Sequence, residues 1–159
     1  MKPSNSKTKL VRVIAWIAGL LFVLAVVYVV AMNRMMTKMV SEVPSNLDYS
    51  TKRLSDNGLF NASYSASTGT VPINQMHQWT LHVDSADGKP VENATITVDG
   101  DMPQHGHGLP TSPQVTKYLG KGDYLVDGMK FQMGGWWVMD FTITANGQTD
   151  AVHFNMQLK

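Results

Sequence analysis

The stretch MPQHGHG, Met102 to Gly108, places two imidazoles, His105 and His107, one residue apart among glycines and just behind a Met-Pro pair. In an extended segment, residues two apart point to the same side, so both rings could converge on one ligand. Gly100, Gly106 and Gly108 allow the backbone to turn as such a site requires, and Pro103 narrows the approach. Two imidazoles alone make no tight site. Thioethers are the available complement: Met102 lies in the same stretch, and Met129, Met133 and Met139 fall in GMKFQMGGWWVM. The chain has no cysteine, which excludes disulfides, thiolate metal sites and a cysteine nucleophile. Imidazole with thioether, and without thiolate or an acidic cluster, suits copper best, Cu(I) through Met and His and Cu(II) mainly through His. Zinc would normally want a fuller His or carboxylate set, and calcium wants oxygens.

A blander reading stands beside this one. A glycine-rich turn can hold histidines for polarity alone, and methionine is a common gap filler in a β core. Met133 could belong to a bulge in FQMGGWW that feeds a core strand. Met139 and Met156 alternate in phase with core residues and read as core. His77, His82 and His153 read as solvated side chains on the polar phase of their strands.

The elements that must position these residues follow from periodicity. Trp79, Leu81 and Val83 alternate with polar neighbours, as do Ala94, Ile96 and Val98, and then Val152, Phe154, Met156 and Leu158. Such alternation marks half-buried strands. Asp87-Gly88 and Asn146-Gly147 sit between alternating runs and mark tight turns, the second joining WWVMDFTIT to TDAVHFNMQL as a hairpin. With further runs near residues 59–65, 114–119 and 123–126, about seven short strands fall within about 100 residues. The pattern predicts an all-β domain over residues 59–159, a small antiparallel β-sandwich of immunoglobulin or cupredoxin type. Its core should come from Trp79, Tyr124, Phe141, Phe154 and one of Trp136 and Trp137. MPQHGHG then lies in a loop or strand edge at one end of the domain.

The N-terminus reads differently. Residues 13–32, VIAWIAGLLFVLAVVYVVAM, form an uncharged run of twenty residues, enough as a helix to span roughly 30 Å of hydrocarbon. Lys2, Lys7, Lys9 and Arg12 precede it with no acid among them, which predicts a cytoplasmic tail over residues 1–12 and an outward-facing domain. A cleaved signal peptide is the competing reading, although the run exceeds the usual length of such a segment. Residues 33–58 read as juxtamembrane helix and linker: Met32, Met35, Met36 and Met39 recur at helical spacing before Pro44, and Ser45 with Asp48 and Asn57-Gly58 suggest a short helix or tether. The Met stripe is either an interfacial helix face or a thioether path that hands on a soft metal. Net charge is +1 with 16% charged residues, so no basic field exists to hold nucleic acid.

MPQHGHG followed by GKGDYLVDGMKFQMGGWWVMDFTI resembles the YtkA-like and FixH-like group of membrane-anchored bacterial extracytoplasmic domains, over roughly residues 79–158. That resemblance implies a compact β-sandwich on the periplasmic face of the inner membrane and a link to copper handling or to the assembly of respiratory copper oxidases. By motif, Met102, His105, His107 and Met133 match the positions expected to meet at a metal.

Two function classes carry forward. One is a copper-binding chaperone, buffer or oxidase assembly factor, with those four residues as ligands and a respiratory copper oxidase or another copper protein as partner. The other is a metal-free assembly or interaction subunit of a membrane complex. An enzyme is not expected, because no nucleophile with an adjacent base is recognisable.

Overall fold

The computed structural model describes residues 5–41 and 43–159, and side chains over the same range except those of residues 5–9, 13 and 34–41. The chain divides into two compact units, Met1–Glu42 and Val43–Lys159. In the first, α1 runs Asn5–Ser41. Within it, Leu10–Asn33 is long and apolar enough to cross a membrane. Among the described side chains, its large apolar residues between Leu10 and Val30 are exposed, which in water would be unfavourable and in hydrocarbon is not. This supports membrane anchoring. The side chains of Met35, Met36 and Met39 lie outside the described residues.

The second unit is built from nine strands: β1 (Lys52–Leu54), β2 (Phe60–Ala66), β3 (His77–Ser85), β4 (Thr95–Met102), β5 (His107–Gly108), β6 (Gln114–Gly120), β7 (Asp123–Met129), β8 (Gly135–Ala145) and β9 (Gln148–Leu158). They form two antiparallel sheets, ordered β1-β2-β3-β7-β6 and β5-β4-β8-β9, packed together. The seven runs expected from alternation are all present as strands. Residues 52–54, read from sequence as linker, are instead β1, paired with Asn61 to Ser63 of β2. A three-residue strand has too little length for a period of two to show; its partner, not its own pattern, makes it a strand.

The two sheets bury one apolar layer between them. Trp79, Trp137, Phe131, Phe141 and Phe154 are fully buried, and Tyr64 stacks on Trp79 with ring centroids 4.3 Å apart and planes within 10°. Met139 and Met156 are buried, as their phase predicts, and of the two adjacent tryptophans it is Trp137 that enters the core. With no cysteine to cross-link the sheets, this packing must hold them. The Asn146-Gly147 turn has positive φ at both residues, 53° and 76°, the geometry whose twist matches a β8–β9 hairpin.

Asp150 ties the segment ahead of β2 to this frame. Its carboxylate accepts from Asn57 N (3.0 Å), Asn57 Nδ2 (2.9 Å) and Leu59 N (3.3 Å). Burial opposes its charge, but the bonds from Ser55, Asn57 and Ala151 prevail and hold its pKa down at about 2.

The histidines depart from the sequence reading. His77 is buried and not on the polar phase expected of it, since it falls in the same odd phase as Trp79 and Leu81. His153 is no simple solvated ring: its Nδ1 meets Asp140 Oδ1 at 2.6 Å and its Nε2 meets Asp56 Oδ2 at 3.1 Å. His82 repeats the arrangement with Asp123 (2.7 Å) and Asp84 (3.1 Å). Both pKa values are raised. For His153 the bond to Asp140 raises it most, burial works against it and Asp56 adds support. For His82 burial acts hardest and lowers it, yet the bonds to Asp123 and Asp84 together outweigh that. A raised folded pKa gives stability that is complete below the unfolded value of 6.5 and is lost as pH rises through the folded value. The melting temperature of the β unit, followed by near-ultraviolet circular dichroism on the full chain in detergent micelles, should therefore fall as pH rises from about 6 through neutrality. A His82→Gln/His153→Gln variant should lose most of that slope; an unchanged slope would refute the assignment.

Candidate functional site

One end of the second unit collects the residues singled out by their chemistry. β4 and β5 form a short hairpin in which Met102 stands directly opposite His107 and Asp101 opposite Gly108. Residues 103–106 make the turn: His105 N and Gly106 N both donate to Met102 O, at 2.9 and 3.0 Å, and Gly106 has φ 65°. MPQHGHG is thus not one extended run. The two imidazoles are brought together by a turn, with ring centroids 5.8 Å apart.

Directly opposed residues in an antiparallel pair share a face, so Met102 and His107 both face the core side of the hairpin. Met102 is 1% exposed, and its methyl end packs against Gly135, where an added Cβ would fall only 2.2 Å from Met102 Cε. His107 sets its ring against Trp137, centroids 5.8 Å apart and planes at 63°. Trp137 in turn meets Phe131 edge to face at 5.2 Å.

The segment between β7 and β8 closes this end. Gln132 Nε2 lies 3.0 Å from His107 Nδ1 and 3.2 Å from Gly108 O. Met133 joins through its backbone, accepting Trp137 Nε1–H at 3.1 Å, while its side chain packs half-buried against the core. The structure therefore brings Met102, His105 and His107 to one hairpin and sets the Met133 segment beside it. The contacts that join the two run through Gln132 and Trp137. Sequence reasoning missed Gln132, because a lone glutamine carries no pattern. Trp137 had a signal in its alternation with Met139 and Phe141.

Further along, His77 Nδ1 lies 3.1 Å from Gln75 O, and its Nε2 is buried without a hydrogen-bond partner. It reaches the same end of the core through Phe131, at 5.9 Å between ring centroids.

Among the described residues no three His, Asp or Glu side chains converge as a ligand set. A metal at the hairpin would need thioether donors. Two imidazoles and one buried thioether opposite His107 have the ligand chemistry that copper takes.

A domain of two packed antiparallel sheets, tied to an apolar helix and carrying a Met- and His-bearing hairpin at one end, is the class these features define. The family model described as YtkA-like matches residues 61–142, from β2 through most of β8, and the chain belongs to the YtkA-like family. Members of that family are non-catalytic accessory domains, in keeping with the absence of an enzyme signature in the sequence. Among solved structures, the ZirS C-terminal domain is similar with a TM-score of 0.37 and 16% identity, over 74% of this chain and 83% of that one, a likeness too distant to carry an argument. No curated protein matches.

Proposed function

We propose that this chain is a membrane-anchored accessory protein that holds its β unit on the extracytoplasmic side of a bacterial inner membrane and docks it to a membrane complex. The observation that carries the reading is the pairing of a YtkA-like domain with a helix apolar on every side. The four basic residues ahead of the helix favour the outward placement of the domain. A respiratory copper oxidase in assembly is the partner we favour, on the resemblance to FixH-like proteins.

A second reading has its own observation. The opposition of Met102 to His107, with the His105 ring 5.8 Å away, supports a copper site at the hairpin with Met102, His105, His107 and Met133 as donors. Bound copper would be the cargo, and turnover is not required of the protein. Pro103 and the hairpin fix the donors' approach, so less ordering entropy is lost on binding.

Protease added outside intact spheroplasts should digest the β unit and leave the anchor protected; a protected β unit would overturn the placement. The full chain in micelles should bind about one copper per chain, and the His105→Ala/His107→Ala variant should bind it far more weakly. Equal affinity in the two proteins would remove the copper reading and leave the metal-free accessory role.

A further inference from the structure

Three polar groups meet behind the hairpin: the Gln132 amide, His107 Nδ1 and Gly108 O. Gln132 Nε2 is 3.0 Å from His107 Nδ1 and 3.2 Å from Gly108 O, and His107 Nδ1 is itself 3.2 Å from Gly108 O. An amide nitrogen has two hydrogens to donate, one for each of these neighbours. In this setting His107 Nδ1 must accept, so its ring proton sits on Nε2. Gln132 Oε1 is meanwhile buried without a hydrogen-bond partner. A buried acceptor with no donor is unfavourable, commonly by about 1 to 3 kcal/mol, so the amide does not rest in a fully satisfied state.

The alternative setting is half a turn of the amide away. Oε1 then takes the place of Nε2 and accepts from a proton on His107 Nδ1, and the lone pair of the ring moves to Nε2; the amide gives up its bond to Gly108 O, which the Nδ1 proton also faces at 3.2 Å, and its NH2 takes the buried place of Oε1, so neither setting satisfies every group. Each amide setting thus matches one tautomer. In either, Gln132 covers Nδ1, but only in the turned setting does Nε2 carry the lone pair that a metal can take. A histidine that binds through one nitrogen while the other donates to a carbonyl or carboxylate oxygen is the usual arrangement at a metal, because the second bond fixes both the tautomer and the ring plane.

We infer that Gln132 is a positioning residue for His107: its side-chain amide, by turning over, selects which ring nitrogen carries the proton and presents Nε2 to a soft metal ion. The metal-binding part of this inference rests on the copper reading above. The selection of the tautomer does not. Trp137 supplies the other restraint, since its ring against His107 limits rotation of the imidazole that Gln132 holds.

Two substitutions separate the settings. A glutamate at position 132 can only accept, and so calls for a proton on Nδ1; leucine neither donates nor accepts. Ring-nitrogen chemical shifts of isotope-labelled histidine, recorded at alkaline pH on the full chain in micelles, should show His107 with its proton on Nε2 in the metal-free wild type. The proton should move to Nδ1 in Gln132→Glu, and Gln132→Leu should show a mixture. In competition with a Cu(I) chelator, Gln132→Leu should bind about 10- to 100-fold more weakly than wild type, whereas Gln132→Glu should bind at least as tightly. An identical His107 tautomer in all three proteins would overturn the inference, as would copper bound with equal affinity by all three. A shifted tautomer with no copper bound by any of them would refute the copper reading and uphold the hold of Gln132 on the ring.

Discussion

Replacing Trp79 by alanine should lower the unfolding free energy of the β unit by roughly 3 to 5 kcal/mol, the usual range for removing a large aromatic ring from a core. Trp79 is fully buried and sits at the crossing of several ring contacts: Tyr64 stacked at 4.3 Å, Phe131 at 6.0 Å and Phe141 at 6.4 Å. Tyr64 lies beside it on β2, and Phe141 lies on β8 in the opposite sheet, so the indole is packed from its own sheet and from the facing one. Its loss leaves a void that neither sheet can fill without moving relative to the other. Domains of this size are commonly stable by only about 5 to 15 kcal/mol, so the variant should melt much earlier and unfold at a lower denaturant concentration. Trp79→Phe keeps most of the volume and should recover much of the loss. Chemical denaturation of the full chain in micelles measures both, and a near-neutral alanine variant would mean that the sheets are held by something other than this layer.

The second large effect is expected at Gly135. It has φ 130°, a conformation that residues with a Cβ rarely adopt, and it faces the Met102 methyl at a distance no Cβ could share. Gly135→Ala should therefore destabilise twice over. Backbone strain in such a region commonly contributes about 1 to 3 kcal/mol, and the displaced methionine adds a packing defect beside Trp137. Leucine ends at Cδ and has no counterpart of the methionine Cε that meets Gly135, so Gly135→Ala should be less damaging in a Met102→Leu background. If the two backgrounds suffer equally, backbone strain alone accounts for the effect and the Met102 contact contributes nothing. The same variant matters for the site, because the side chain it pushes is the thioether opposite His107.

Alternation exposed the sheets because each long strand has one face in the core. β3, β8 and β9 have 9, 11 and 11 residues, long enough for a period of two to emerge, and the Asn146-Gly147 pair has the turn chemistry its hairpin demands. β1 and β5 have three residues and two, and pair only because tertiary structure brings a partner to them. His77 could have been placed correctly by counting parity from Trp79. The hairpin was legible as chemistry but not as geometry: nothing in MPQHGHG says that Met102 will oppose His107, which depends on where the chain reverses. Gln132 had no signal at all, since its contacts depend on how the β7–β8 segment lies against another strand pair.

β9 has a consequence for how the chain behaves when cut. It is an eleven-residue strand at the border of its sheet, bonded along one side to β8. On its other side Ala151 O receives Asp56 N at 2.8 Å, His153 holds Asp56, and the Asn155 amide reaches Asp48 O at 3.2 Å. Residues 48–57 thus act as a guard rail along a border that would otherwise invite pairing with another chain. That rail is also the chain that leads to the membrane helix. A cut ahead of residue 52 would release the β unit with β1 and Asp56 still in place against β2 and β9, whereas removal of the whole segment would bare the unpaired side of β9. The same stretch of chain thus serves both as the lead to the membrane helix and as the cover of this border.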